Sequence, residues 1–213
     1  KRVLHYIRSR RKQNGAVEFL KRGIEGISLL GGKSVGGIVY GSWPADYSVQ
    51  IIEPELKALH RKRSIACMKA VMKTAEDFGV TVNLEIVNRF EHYLINTVDE
   101  GLEFCKEIDS PNCKLLLDCF HMNIEEDYIP DAIRAASDKG YLGYIHIGEA
   151  NRKIPNGRKR KQTLTGKQSQ QRLKISVMKD HLLWNHSYWK VHLVLRVFLY
   201  GERLKMVQIL MAL

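Results

Sequence analysis

Apolar positions recur along the chain at two alternating periods. Over 16–30, Val17, Leu20, Ile24 and Ile27 fall at helical spacing, and Gly31-Gly32 stops the run. Residues 35–40 are short, apolar and β-rich, and Gly41-Ser42-Trp43-Pro44 ends them. A second helix is predicted over 60–78, with Ile65, Met68, Met72 and Ala75 on one stripe and Gly79 as its stop. Residues 80–87 read as a strand. Thr97-x-x-Glu100 has the form of a capping box and opens a helix with Val98, Leu102, Cys105 and Ile108 inward. Ser110-Pro111 breaks the chain before a strand over 114–119. A helix over 128–137 is closed by Gly140, and 141–147 is another strand.

Strands separated by helices of this length need parallel crossovers. The class is therefore α/β, and both a doubly wound sheet and a (β/α)8 barrel satisfy the pattern. No G-x-G-x-x-G follows a strand, which disfavours a dinucleotide fold. A barrel carries its chemistry at the carboxyl ends of its strands, and the unusual residues of this chain fall there.

Composition adds a boundary. The 213 residues carry 34 Lys plus Arg against 23 Asp plus Glu, a net charge of +11. Residues 158–213 hold 12 of the basic and 2 of the acidic residues, so nearly all the excess is in the tail. All five prolines lie at or before Pro155. The chain divides into a basic segment 1–12, an α/β unit 13–157 and an off-pattern basic tail 158–213. No apolar run of about 18 residues suggests a membrane span, and the first residues lack the apolar middle of a secretory signal. The four cysteines, Cys67, Cys105, Cys113 and Cys119, form no C-x-x-C pair, which suits a reduced, cytoplasmic setting.

Three strands end in potential metal ligands. These are Glu85 in VNLEIVNRFE, Asp118 in KLLLDCFHMN with His121 three residues on, and His146 in YIHIGEANR, followed by Glu149 and Arg152. Carboxylates with imidazole suit Mn²⁺, Mg²⁺ or Co²⁺ better than a thiolate-seeking metal. Taken singly, each has a plainer reading. A glutamate in a strand usually faces solvent, a histidine between two isoleucines is usually a core residue, and His121 could cap a helix. Asp118 follows three leucines, where a charge is rarely left unpaired. Their joint occurrence at equivalent ends of successive strands favours a site.

The stretches LEIVNRFEHYL, SPNCKLLLDCFHMNIEED and GYIHIGEANR closely resemble the ketose 3-epimerases, the D-tagatose and D-psicose 3-epimerase group of the xylose-isomerase-like barrels. GGKSVGGIVYGSWPADYS resembles their fourth-strand region, and the likeness covers roughly 13–157. The resemblance implies a partial (β/α)8 TIM barrel, about strands 4 to 7. It implies a divalent metal, commonly Mn²⁺, on Glu85, Asp118 and His146, with Glu91, His121 and Arg152 on the oxygens of the sugar. The implied reaction is epimerisation at C3 of a free ketohexose through an enediolate. Glu85 removes the proton, and a second glutamate returns one from the other face. Family members are homo-oligomers.

Two parts of that pattern are missing. The residues before 35 offer no earlier strands. The family's second glutamate lies in a Met-Glu-Pro-Phe motif on its last strand, and Glu202 is the only glutamate of the tail, in an unrelated context. Reverse translation suggests a reason. Skipping two bases, residues 164–168 can read Asp-Trp-Glu-Ala-Ile and 183–187 Met-Glu-Pro-Phe. Residues 175–181 and those from Tyr200 onward can be read in the same way, so that all four segments share one frame and stand in family order. The expectation is a tail that is a frame-shifted reading of the family's C-terminal segment, that adds no final strand beside 141–147, and that leaves the epimerase impaired or inactive. The alternatives are a non-catalytic fragment, or a nucleic-acid-binding or DNA-repair relative using the basic tail. The tail has no recognition motif, so no specific nucleic acid and no membrane partner is expected.

Overall fold

A computed structural model describes residues 10–45 and 52–148, together with the backbone of 182–184. Helix α1 (Arg10–Leu29) leads to β1 (Ser34–Gly37), α2 (Pro54–Asp77) to β2 (Thr81–Ile86), and α3 (Val98–Ile108) to β3 (Cys113–Asp118). A short α4 (Cys119–Glu125), α5 (Ile129–Asp138), β4 (Leu142–Ile147) and β5 (Leu182–Trp184) follow.

The strands form one parallel sheet in the order β1-β2-β3-β4-β5. Sequential order separates the two architectures left open by the periodicity and bears out the barrel that the resemblance implied. Each right-handed crossover from a strand to its next neighbour puts its helix on the same face, whereas a doubly wound sheet reverses direction. Here α1 packs on α2, α2 on α3 and α3 on α5. The sheet is thus an arc of a barrel with its helices outside.

Strand alternation sorts the side chains. Leu84, Ile86, Leu115, Leu117 and Ile145 are fully buried on the helix side, where Met68, Met72, Phe104 and Cys105 meet them. Glu85 pairs in register with Leu116, and Asp118 with His146, on the opposite, inner face.

Several boundaries move. Helix α1 reaches back to Arg10, into the segment set apart at 1–12, and α2 begins at Pro54, where a proline at the first turn costs no helical hydrogen bond. β1 ends at Gly37 rather than near 40. The Thr97 hydroxyl accepts from the Glu100 amide as the capping box requires, but the Glu100 carboxylate reaches past Thr97 to the amide of Asn96 at 2.7 Å. Gly79 and Gly140 take the left-handed conformations that stop α2 and α5.

The tail departs from expectation at one point. Leu182–Trp184 pairs in parallel with β4, Leu183 opposite His146, so the tail does place a strand beside 141–147. An apolar, β-prone Leu-Leu-Trp triplet satisfies backbone groups that β4 would otherwise leave open. The 157/158 boundary and the rest of the tail lie outside the described residues.

Candidate metal site

Three strand ends deliver the site. Asp118 closes β3 and is also the N-cap of α4, so its two oxygens are divided: Oδ1 accepts from the Phe120 amide at 2.8 Å, and Oδ2 faces His146 Nδ1 at 3.5 Å. The same Nδ1 lies 3.9 Å from Glu85 Oε1. Donors on one octahedral ion with bonds near 2.1 Å sit about 3 Å apart, so these three groups are close to the spacing one ion would impose. Two carboxylates and an imidazole form a hard to borderline donor set, which fits Mn²⁺, Mg²⁺ or Co²⁺.

Burial grades the carboxylates. The Asp118 side chain is 3% exposed and that of Glu85 19%. Burial pushes the Asp118 carboxyl up. The hydrogen bond and charge of His146, with His121 and the Phe120 amide, outweigh it and hold the group below the usual carboxylate range. Asp118 is built to stay ionised, and Glu85 to remain reachable.

His121 enters the same cluster. It, Glu85 and Asp118 each offer one ligand atom, all within 4.8 Å of one another. Its tautomer distinguishes it. The Asn88 backbone amide, a fixed donor, points at His121 Nδ1 at 3.2 Å, and the Asn88 side-chain nitrogen lies 2.8 Å away. Nδ1 is therefore an acceptor, and the neutral ring carries its proton on Nε2 as a donor.

Sequence reasoning missed Asn88, Tyr40 and α4. Asn88 lies two residues past the end of β2, the only available signal. Its Oδ1 also accepts from the Phe90 amide at 3.0 Å, while Asn96 bridges the carbonyls of Val87 and His92 at 2.7 and 2.6 Å. These bonds shape the loop carrying Glu91. A bidentate Arg89–Glu125 pair ties that loop to α4. Glu91 itself is half-buried in the loop, and its amide donates to the Asn88 carbonyl. Arg152 and Glu149 lie outside the described residues. No described helix is long and apolar enough to cross a membrane.

The comparisons with known proteins bear on the fold and the family. Residues 7–174 match the family model "Xylose isomerase-like TIM barrel". The chain is 50% identical over 121 residues to the D-psicose 3-epimerase of Ruminiclostridium cellulolyticum, covering 57% of this chain and 39% of that protein. It is 39% identical over 137 residues to the D-psicose 3-epimerase of Agrobacterium fabrum, 64% and 45% of the two chains. A solved D-psicose 3-epimerase from Clostridium cellulolyticum H10, crystallised with D-tagatose, superposes with a TM-score of 0.73 at 34% identity, over 87% of this chain and 65% of that one. The chain thus spans about two fifths of the length of these curated relatives. With most of its length matched and its strands ordered as an arc of a barrel, the chain belongs to the xylose isomerase-like TIM barrel family.

Proposed function

We propose that the chain carries the metal-holding and proton-removing side of a ketose 3-epimerase, acting at C3 of a free ketohexose. The observation that carries this reading is the convergence of three adjacent strand ends, His146 Nδ1 lying 3.5 Å from Asp118 and 3.9 Å from Glu85, with Glu85 and Asp118 also within 4.8 Å of each other in the group they form with His121. The naming of its relatives as D-psicose and L-ribulose 3-epimerases, one a ketohexose and the other a ketopentose, supports a free ketose as the substrate class.

In this reading Glu85, Asp118 and His146 hold the ion. Bound there, Mn²⁺, or Mg²⁺ or Co²⁺ in its place, supplies Lewis acidity toward the ketose carbonyl. Glu85, the more open carboxylate, takes the C3 proton. Asp118 stays ionised beside it. His121 donates from Nε2 to a sugar oxygen, where it steadies developing negative charge. Glu91 and Arg152 bind the remaining hydroxyls.

Inversion also needs an acid on the opposite face of the sugar. Asp180 and Glu202 are the only acidic residues after 157, and neither stands in the family's motif. Loss of a positioned acid–base group costs about 10²–10⁴-fold. The chain by itself is accordingly impaired. Incubation with Mn²⁺ and D-fructose, D-psicose or D-tagatose, followed by chromatography, should show turnover well below about 1 s⁻¹. Faster turnover abolished by Glu85→Gln would refute the impairment and point to a replacement acid, with Glu202 the first suspect. Four buried thiols fit a reducing, cytoplasmic setting for this chemistry.

A further inference from the structure

Behind the ligand cluster lies a set of buried rings that the proposed chemistry does not use. The β1–β2 ladder ends with Gly37 opposite Leu84, one residue short of Glu85. Tyr40, fully buried, fills the next place: its hydroxyl donates to the Glu85 carbonyl oxygen at 2.8 Å. The tyrosine is braced from three sides. Ser64 of α2 donates to its backbone carbonyl. Its ring meets Phe104 at 5.9 Å and the edge of the His92 ring at 5.7 Å.

His92, also fully buried, belongs to the loop that carries Glu91. Its Nδ1 accepts from the Leu94 amide at 3.1 Å, and its ring stacks on Tyr93 at 4.9 Å. The Tyr93 hydroxyl in turn pairs with His60 Nδ1 of α2 at 2.9 Å. Gly41, next to Tyr40, lies so close that a methyl group there would overlap the His92 ring.

We propose that Tyr40 is a positioning residue for Glu85, its hydroxyl and its bracing by Ser64 and His92 setting the backbone on which that carboxylate is mounted. The inference rests on the reading of Glu85 as ligand and base. Tyr40 itself is sealed from solvent. A carbonyl tied at the end of a ladder fixes the direction in which the attached side chain leaves the strand. Partners bonded directly to a ligating side chain typically govern metal affinity by 10- to 100-fold, and a bond to that ligand's own backbone, one step further out, belongs at the low end of this range.

The test compares the full chain with Tyr40→Phe, Ser64→Ala, Glu85→Gln and Phe104→Leu. Mn²⁺ affinity is measured by titration calorimetry, and amide hydrogen exchange is followed over 83–88. Tyr40→Phe should bind Mn²⁺ about tenfold more weakly and exchange faster over 84–88 only, with its helix content unchanged. Ser64→Ala should move both readouts the same way by less, and it keeps the test open if Tyr40→Phe does not fold. Phe104→Leu, which removes one ring contact of Tyr40 but keeps its hydrogen bond, should lower stability and weaken Mn²⁺ binding less than Tyr40→Phe does, and an equal weakening would assign the effect to packing and overturn the proposal. Wild-type affinity in Tyr40→Phe, or faster exchange spread over the whole sheet, would reduce Tyr40 to a packing residue and overturn the proposal. A wild-type chain that binds no Mn²⁺ would instead sink the metal-site reading, and unchanged exchange over 84–88 in Tyr40→Phe would then overturn the positioning role separately.

Discussion

His92 is the residue whose burial has the plainest thermodynamic consequence. Burial, with the charges of His60 and Lys57 and against a hydrogen bond that the ring donates to the Ser42 backbone, pushes its imidazole down to about 4. The unfolded chain takes up this proton near pH 6.5, while the folded chain resists until about pH 4. Below pH 6.5 the unfolded state therefore binds more protons, and stability falls as pH drops through that window. The full effect is about 3 kcal/mol at pH 4 and vanishes above pH 7. His92→Asn keeps an acceptor for the Leu94 amide and removes the titration. Urea unfolding at pH 7 and pH 4.5 should show the wild type losing about 2 kcal/mol more than this variant. Equal losses would mean that His92 is protonated within the fold.

At the scale of elements, β2, β3 and β4 are locked by one close approach. The register slips by a residue between Leu115 and Leu116, and Gly143 falls at that slip. A methyl at Gly143 would overlap the Asn83 amide oxygen and crowd Lys114 Cβ. Asn83 is itself fixed, its nitrogen donating to Ser34 Oγ at 2.6 Å and to the Val35 carbonyl at 3.2 Å. Gly143→Ala should thus cost about 1–3 kcal/mol in chemical unfolding. The cost should shrink when Asn83→Ala is already present, a coupling a double-mutant cycle reads directly. Additive costs would show that the backbone, not the amide, resists. The helix after β2 is less exacting: Thr97→Ala removes one cap bond and should cost about 1 kcal/mol with an unchanged denaturant slope.

For the whole molecule, the dominant asymmetry is charge. The tail carries almost all of the +11 excess on a nearly neutral body. Such a segment attracts phosphate without reading sequence. The full chain should bind duplex DNA at about 50 mM salt, release it by about 200 mM, and show equal affinity for unrelated sequences. Removing 158–213 should abolish the binding. A sequence preference, or binding that survives the deletion, would revive a nucleic-acid function for the barrel face.

The alternation of a 3.6-residue period with short β-rich runs was enough to establish the order of helices and strands, because each apolar stripe reports a local burial requirement. It also marked Glu85, Asp118 and His146, since a charge or imidazole ending an apolar strand is conspicuous in one dimension. The Leu-Leu-Leu run before Asp118 already told that β3 is covered on both faces. Periodicity alone left a doubly wound sheet and a barrel arc open, because that choice depends on which strand each helix returns to; only the resemblance of the strand-end motifs pointed to the barrel. The tautomer of His121, set by an Asn88 amide 33 residues away, was not legible, nor was the bond from Tyr40 to Glu85 across 45 residues. The pairing of Leu182–Trp184 with β4 was hidden as well, because a three-residue apolar run becomes a strand only when a neighbouring edge offers it hydrogen bonds. Periodicity records what each segment must bury. Only the tertiary structure decides which distant polar groups then face one another.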